Sequence, residues 1–115
     1  ADVYDKRSNP FFGKGMVLNK HTGARGKGGS NDANAEYIAK LRHVLMKIGC
    51  VPADRDGQDR CRRRRTIAYI LANFGMEVID GGVAVLSMHS PWELSSKADV
   101  YEAYRGYCAF LKDMK

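Results

Sequence analysis

Four large aliphatic side chains recur between residues 38 and 48 at spacings of three and four. This spacing places them along one side of an α-helix, where they form a stripe that must be buried against another element. The four are Ile38, Leu41, Leu45 and Ile48. We predict that Asn31 or Asp32 caps the start of this helix and that Gly49 ends it.

Two further helices are predicted after the first. One starts near Thr66, presents an apolar face and stops at Gly75. The face consists of Ile67, Ile70, Leu71 and Phe74. The last helix opens at Ser96, and Asp99 three residues later completes a capping box. Its predicted inward face consists of Val100, Tyr104, Tyr107, Cys108 and Leu111.

Short apolar runs at residues 16–20, 76–79 and 83–86 predict strands, and Asp80-Gly81-Gly82 predicts a turn or bulge between the last two. Residues 21–30 contain four glycines and predict a loop. Residues 51–65 have no apolar period and predict an exposed segment. The resulting order is strand, helix, helix, strand, strand, helix, which indicates an α/β layered fold.

A chain of 115 residues makes one domain or part of one. It begins with Ala1 rather than Met, so we expect it to start within a longer protein. No segment has the apolar length needed to span a bilayer. Three cysteines without a C-x-x-C pair favour reduced thiols in a cytoplasmic protein over a disulfide framework or zinc ribbon.

The net charge of +6 is concentrated in one short segment. The arginines at positions 62 to 65 carry four of these charges. They are Arg62, Arg63, Arg64 and Arg65. Clustered guanidinium groups can bind nucleic acid or another polyanion, so a small basic module acting through Arg60 to Arg65 is one functional hypothesis. The same run is also typical of a solvated surface, and no aromatic residue lies within it to stack on bases.

His89 is the candidate for metal chemistry. It follows the apolar run of residues 83–86, at the point where a strand gives way to a loop, which is where α/β enzymes place functional side chains. Glu93 lies four residues later, but Pro91 between them disfavours the helix that would let both coordinate one zinc ion. Glu93 can instead act as a carboxylate that orients the ligand. The alternative is that His89 is an ordinary polar residue.

Several long segments together resemble a known family. The stretch from Thr66 to Asp80, running on into Ser87-Met88-His89-Ser90-Pro91-Trp92-Glu93, closely resembles the bacterial branch of the aspartyl aminopeptidase and aminopeptidase I family of zinc metallopeptidases. Residues 2–7, 20–27, 30–37 and 96–99 are similar to the same family. The likeness covers nearly all of the chain except residues 53–65.

The resemblance implies a part of a three-layer α/β/α sandwich that holds two zinc ions per active site and removes N-terminal residues from peptides with a zinc-activated water. It implies that His89 is a zinc ligand and that Thr66 lines the substrate site. It also implies a cytoplasmic homo-oligomer, and neither a membrane nor nucleic acid as a partner. The family's other ligands and its catalytic glutamate precede the matched region. We therefore expect residues 1–115 to be the C-terminal portion of a catalytic domain and to be inactive alone, with Asp32 capping a helix rather than binding metal.

One departure from the family lies in residues 53–65. The family carries a glycine-rich stretch beside the active site just before the position of Thr66, whereas this chain has Arg62 to Arg65 there. Glycine lets the backbone approach a substrate closely, and four long cations would obstruct that approach. Because glycine codons read one base out of register can encode arginine, we hypothesise a local frame slip over residues 53–65 that ends at Thr66.

Overall fold

The computed structural model describes residues 11–23, 30–50, 53–55 and 67–114, without the side chains of residues 21–23, 30, 31 and 53–55. Within them the chain forms three helices, named α1 to α3 in chain order. These are Ala35–Lys47, Ala68–Ala72 and Lys97–Asp113. The strands β1 to β7 are Val17–Asn19, His21–Gly23, Ser30–Asp32, Ala53–Arg55, Asp80–Gly82, Val85–Leu86 and Leu94–Ser95. The mixture of helices and strands confirms the α/β class.

Helix α1 forms where the aliphatic stripe predicts it. Leu41 and Leu45 are buried on its inner side, with Leu45 0% exposed. The side chain of Asn34 caps the start by accepting a hydrogen bond from the Tyr37 N–H at 2.7 Å. Gly49, at φ +72°, lies directly after the C-cap, as predicted for the residue that ends a helix in a left-handed conformation.

The predicted cap at Asn31 or Asp32 is wrong, because both residues belong to β3. Strands β2 and β3 form an antiparallel hairpin in which Thr22 pairs with Asn31. The prediction of a loop over residues 21–30 is therefore wrong at both ends of that range, because residues 21–23 and residue 30 belong to strands. The chain stays extended through Asp32, whose carboxylate forms an ion pair with the Lys20 ammonium at 3.1 Å.

Strand β1 is the centre of a three-stranded mixed sheet. It pairs in parallel with β4 and antiparallel with β5. Strand β4 lies within residues 51–65, for which the sequence predicted an exposed segment and no strand: Val17 pairs with Ala53 and Leu18 with Asp54. Polar residues can occupy such a strand since backbone pairing, rather than an apolar pattern, defines it.

Strand β5 is built on residues that were predicted to form a turn or bulge. Asp80, Gly81 and Gly82 pair with β1, whereas the predicted strand over residues 76–79 has no regular structure. The glycine serves close packing instead of a turn. A Cβ atom at Gly81 would lie 2.8 Å from the Met16 Cε atom and 3.3 Å from the Leu18 Cδ2 atom.

The hydrophobic core lies between this sheet and helices α1 and α3. Its buried members come from the start of the sheet, from α1 and from the residue after its end. They are Met16, Leu18, Leu41, Leu45 and Cys50. Partly buried side chains complete it, including Phe110 of α3. Burial and neighbouring Glu102 raise the pKa of the Cys50 thiol, which favours its neutral form.

Ser96 caps the start of helix α3, as predicted, and the Ser96 Oγ atom accepts from the Asp99 N–H at 3.4 Å. The Asp99 carboxylate does not complete a capping box. It is 1% exposed and accepts hydrogen bonds from the Gly13 and Gly15 N–H groups, each at 2.9 Å. The buried carboxylate therefore ties the start of α3 to the segment that leads into β1.

The predicted inward face of α3 is wrong. Its residues Val100, Tyr104, Tyr107, Cys108 and Leu111 are exposed. The buried side is made of Asp99, Ala103, Gly106 and Ala109. Small residues are required there because α3 approaches the core closely. A Cβ atom at Gly106 would lie 2.9 Å from the Met16 Sδ atom and 3.3 Å from the Leu45 Cδ2 atom.

Helix α2 is shorter than predicted and turns its predicted apolar face outward. Ala68 is buried, whereas Ile67, Ile70, Leu71 and Phe74 are exposed. The helix packs against the β2–β3 hairpin. Among the described residues, none of the helices is long and apolar enough to cross a membrane.

Candidate functional site

His89 lies in the loop of a second antiparallel hairpin. Strands β6 and β7 pair through Val85 with Ser95 and through Leu86 with Leu94, and residues 87–93 connect them. The Ser95 hydroxyl fixes the base of the hairpin by donating to the Ala84 carbonyl at 3.1 Å. The prediction that His89 lies where a strand gives way to a loop is therefore confirmed, although β6 spans only two residues and ends at Leu86.

The loop holds two non-glycine residues in the left-handed region of backbone space. Ser87 has φ +56° and His89 has φ +70°, and no other non-glycine residue in the described ranges has a positive φ. Such a conformation costs about 1–3 kcal/mol per residue and persists only where surrounding contacts enforce it. Strain of this kind is concentrated at functional sites.

Two hydrogen bonds hold this conformation. The Ser90 N–H donates to the Ser87 carbonyl at 2.9 Å and closes a turn around His89. The Glu93 Oε1 atom accepts from the His89 N–H at 2.6 Å. Glu93 was predicted to orient the ligand, and the structure shows that its carboxylate contacts the backbone of His89. The His89 side chain is exposed.

A small pocket of about 160 Å³ lies beside the hairpin. Met88, the neighbour of His89, lines it together with Asn19 and Asp80. The Asn19 Nδ2 atom donates to the Asp80 Oδ2 atom at 3.4 Å, across the β1–β5 pair. The sequence interpretation missed this pair because it assigned Asp80 to a turn or bulge. The sequence offered one signal for this pair. Asp80 follows an apolar run, and a polar residue in that position can face a pocket at the edge of a sheet.

The described residues do not make a zinc site by themselves. Across residues 11–23, 30–50, 53–55 and 67–114, no group of three or more His, Cys, Asp or Glu side chains is placed to hold a metal ion. The structure places one exposed imidazole, that of His89, in a strained loop. Asp32, which was not expected to bind metal, is paired with Lys20.

The second predicted site residue, Thr66, lies outside the described residues, as do Arg60 to Arg65 and Cys61. The structure therefore leaves the substrate-site prediction at Thr66 and the polyanion hypothesis at the arginines as predictions.

Comparison with known proteins decides the family. The family model described as aminopeptidase I zinc metalloprotease (M18) matches residues 1–111. The chain belongs to this family. Among curated relatives, the probable M18 family aminopeptidase 1 of Clostridium acetobutylicum is 54% identical over 114 residues, covering 97% of this chain and 24% of the relative. The protein of the same name from Thermotoga maritima is 42% identical over 120 residues, covering 98% and 25%.

Solved structures of the family agree with the fold. The crystal structure of the M18 family aminopeptidase from Thermotoga maritima superposes with a TM-score of 0.83 at 42% identity, over 96% of this chain and 25% of that chain. Aminopeptidase I from Clostridium acetobutylicum gives 0.80 at 56% identity, over 93% and 24%. The chain thus spans about a quarter of the length of the M18 relatives it matches. The resemblance stated from the sequence is confirmed, and the comparisons do not support the polyanion hypothesis.

Proposed function

We propose that residues 1–115 are the C-terminal portion of the catalytic domain of a zinc aminopeptidase and that His89 is one of its zinc ligands. Membership of the M18 family supports the activity. The observation that carries the ligand assignment is the left-handed conformation of His89 at φ +70°, on an exposed loop after a strand. An exposed imidazole held in a costly backbone conformation is typical of a residue that serves a site rather than the core.

The proposal includes the architecture around this site. The described sheet, with α1 and α3 on its core side, would form part of a three-layer α/β/α sandwich. The remaining zinc ligands and the catalytic glutamate would come from a part of the full-length protein other than residues 1–115. Two zinc ions per site are proposed from the family resemblance. When bound, they would supply an activated water for attack on a peptide carbonyl.

The residues of this chain would serve binding and orientation. His89 would contribute one imidazole nitrogen, and Thr66 would line the substrate site. The substrates would be peptides with a free N-terminus. We further propose a homo-oligomer that acts in the cytoplasm.

The test uses the full-length protein and its His89→Ala variant. We expect the purified protein to contain zinc and to release the N-terminal residue from leucyl or aspartyl peptides. The His89→Ala variant should lose at least part of the zinc and most of the hydrolysis, because one ligand is missing. His43→Ala is the matched control, since His43 is an exposed histidine on α1. Unchanged zinc content and hydrolysis in His89→Ala would refute the ligand assignment.

A further inference from the structure

We propose that Glu93 is a positioning residue, whose carboxylate holds the backbone of the 87–93 loop so that the His89 imidazole is presented to its metal. This inference rests on the proposed function, because it assigns a role to a neighbour of the proposed ligand. It differs from an ordinary contact between a carboxylate and a ligating imidazole, because Glu93 acts here on a main-chain N–H group.

The geometry of the hydrogen bond supports the role. The Glu93 Oε1 atom lies 2.6 Å from the His89 nitrogen, which is a short distance for a bond from an N–H group to a carboxylate. Both residues are exposed, so packing in the core does not force them together. Because the side chain of Glu93 binds the backbone N–H group of a residue four positions earlier, it fixes the path of the chain between the two residues.

The backbone of the loop has an unfavourable conformation, which the hydrogen bond to Glu93 stabilises. His89 at φ +70° and Ser87 at φ +56° are both in a region that L-residues disfavour, because the Cβ atom crowds the backbone there. The Ser90 N–H bond to the Ser87 carbonyl closes the turn but leaves the His89 N–H without a partner inside that turn. Glu93 supplies that partner, so its carboxylate stabilises the residue whose side chain is proposed to bind zinc.

The role has a consequence for metal affinity. If the loop populates other conformations when the carboxylate is removed, the apparent affinity for zinc falls by the fraction of molecules that keep the competent loop. Residues that orient a metal ligand without touching the metal change affinity or activity by about 10- to 100-fold when mutated. We expect an effect of that size in Glu93→Ala.

The experiment measures zinc affinity of the full-length protein by competition with a chelator, together with kcat and KM. Glu93→Ala should weaken zinc binding about 10- to 100-fold. Glu93→Gln keeps an oxygen that can accept from the His89 N–H, so its zinc affinity should stay within about 3-fold of the parent protein. Glu36→Ala, the same change at an exposed glutamate in the first turn of α1, should leave the affinity unchanged.

A second substitution separates loop positioning from other effects of Glu93. Ser87→Gly removes the steric cost of a positive φ in the same loop, because glycine has no Cβ atom. Added to Glu93→Ala, it should restore zinc affinity by about 5-fold. Ser90→Gly, a glycine introduced at a neighbouring exposed serine whose φ is not positive, should restore nothing.

The outcomes distinguish this inference from the proposed function. Loss of affinity in Glu93→Ala, retention in Glu93→Gln and rescue by Ser87→Gly support the positioning role. Parent-like affinity in Glu93→Ala, with zinc lost in His89→Ala, overturns the role of Glu93 and leaves the ligand assignment intact. Loss in Glu93→Ala that Ser87→Gly does not relieve shows that Glu93 acts by another route and also overturns the inference. Unchanged zinc in His89→Ala overturns the proposed function itself.

Discussion

Helices α1 and α3 pack against the same core in opposite ways. Helix α1 buries large aliphatic side chains, Leu41, Val44 and Leu45, and its exposed side is mostly polar. Helix α3 buries Ala103, Gly106 and Ala109 and exposes its large side chains, including Tyr104 and Leu111.

The two helices therefore pack against the same core in two different ways. Large side chains on α1 fill the space between the helix and the sheet, and each stabilises the fold through the apolar area that it buries. Small residues on α3 let its backbone come close to side chains already in place, such as Met16 and Leu45. Substitutions on the two helices should therefore destabilise the fold for opposite reasons. Smaller side chains on α1 leave cavities, whereas larger side chains on α3 overlap their neighbours.

The largest effect is expected at Leu45. Leu45→Ala should lower the free energy of unfolding by about 2–5 kcal/mol, because it leaves a cavity in a fully buried position. Urea unfolding of the full-length protein measures this loss. Leu111→Ala makes the same chemical change on the exposed side of α3 and should cost far less. An equal loss at Leu111 would break the contrast, because it would show that the large-residue face of α3 is packed as tightly as that of α1.

A smaller effect is expected at Gly106. Gly106→Val should lower the free energy of unfolding by about 1–3 kcal/mol, because the added atoms overlap Met16 and Leu45. The same urea experiment measures it. Cys108→Val places a valine on the exposed side of α3 and should stay within about 0.5 kcal/mol of the parent. If Gly106→Val were as stable as Cys108→Val, close approach would not be the reason for small residues on this helix.

The smallest effect is expected at Tyr107, whose hydroxyl donates to the Gly81 carbonyl at 2.9 Å. Tyr107→Phe should cost about 0.5 kcal/mol, because this hydrogen bond is partly open to water. Tyr101→Phe, at an exposed tyrosine on the same helix, serves as the control. A cost above about 2 kcal/mol would mean that this bond, rather than the small residues, fixes α3 to the sheet.

The same contrast explains which elements the sequence could predict. The spacing of large apolar residues predicted α1, because the large apolar side chains of this helix are the buried ones. Gly49 predicted where the helix ends. That rule fails for α3, where the pattern of large residues marks the exposed side and a glycine marks the buried one. Strand β5 was missed for a related reason, since Gly81 serves close contact with Met16 and Leu18 rather than a turn.

At the candidate site, residue type and position pointed to His89, and the matching segments pointed to its family. The positive φ values of Ser87 and His89 could not be predicted, because neither residue requires that conformation by itself. The bond from the His89 N–H to Glu93 depends on how the loop turns at residues 87–90. Spacing along the sequence suggested a relation between the two residues, and only the fold shows which atoms meet.

Anomalous diffraction at the zinc absorption edge, from crystals of the full-length protein, tests directly whether His89 binds zinc. We predict an anomalous peak about 2.0–2.1 Å from an imidazole nitrogen of His89, with the Glu93 carboxylate still bonded to the His89 N–H. Zinc peaks whose ligands exclude His89 would contradict it.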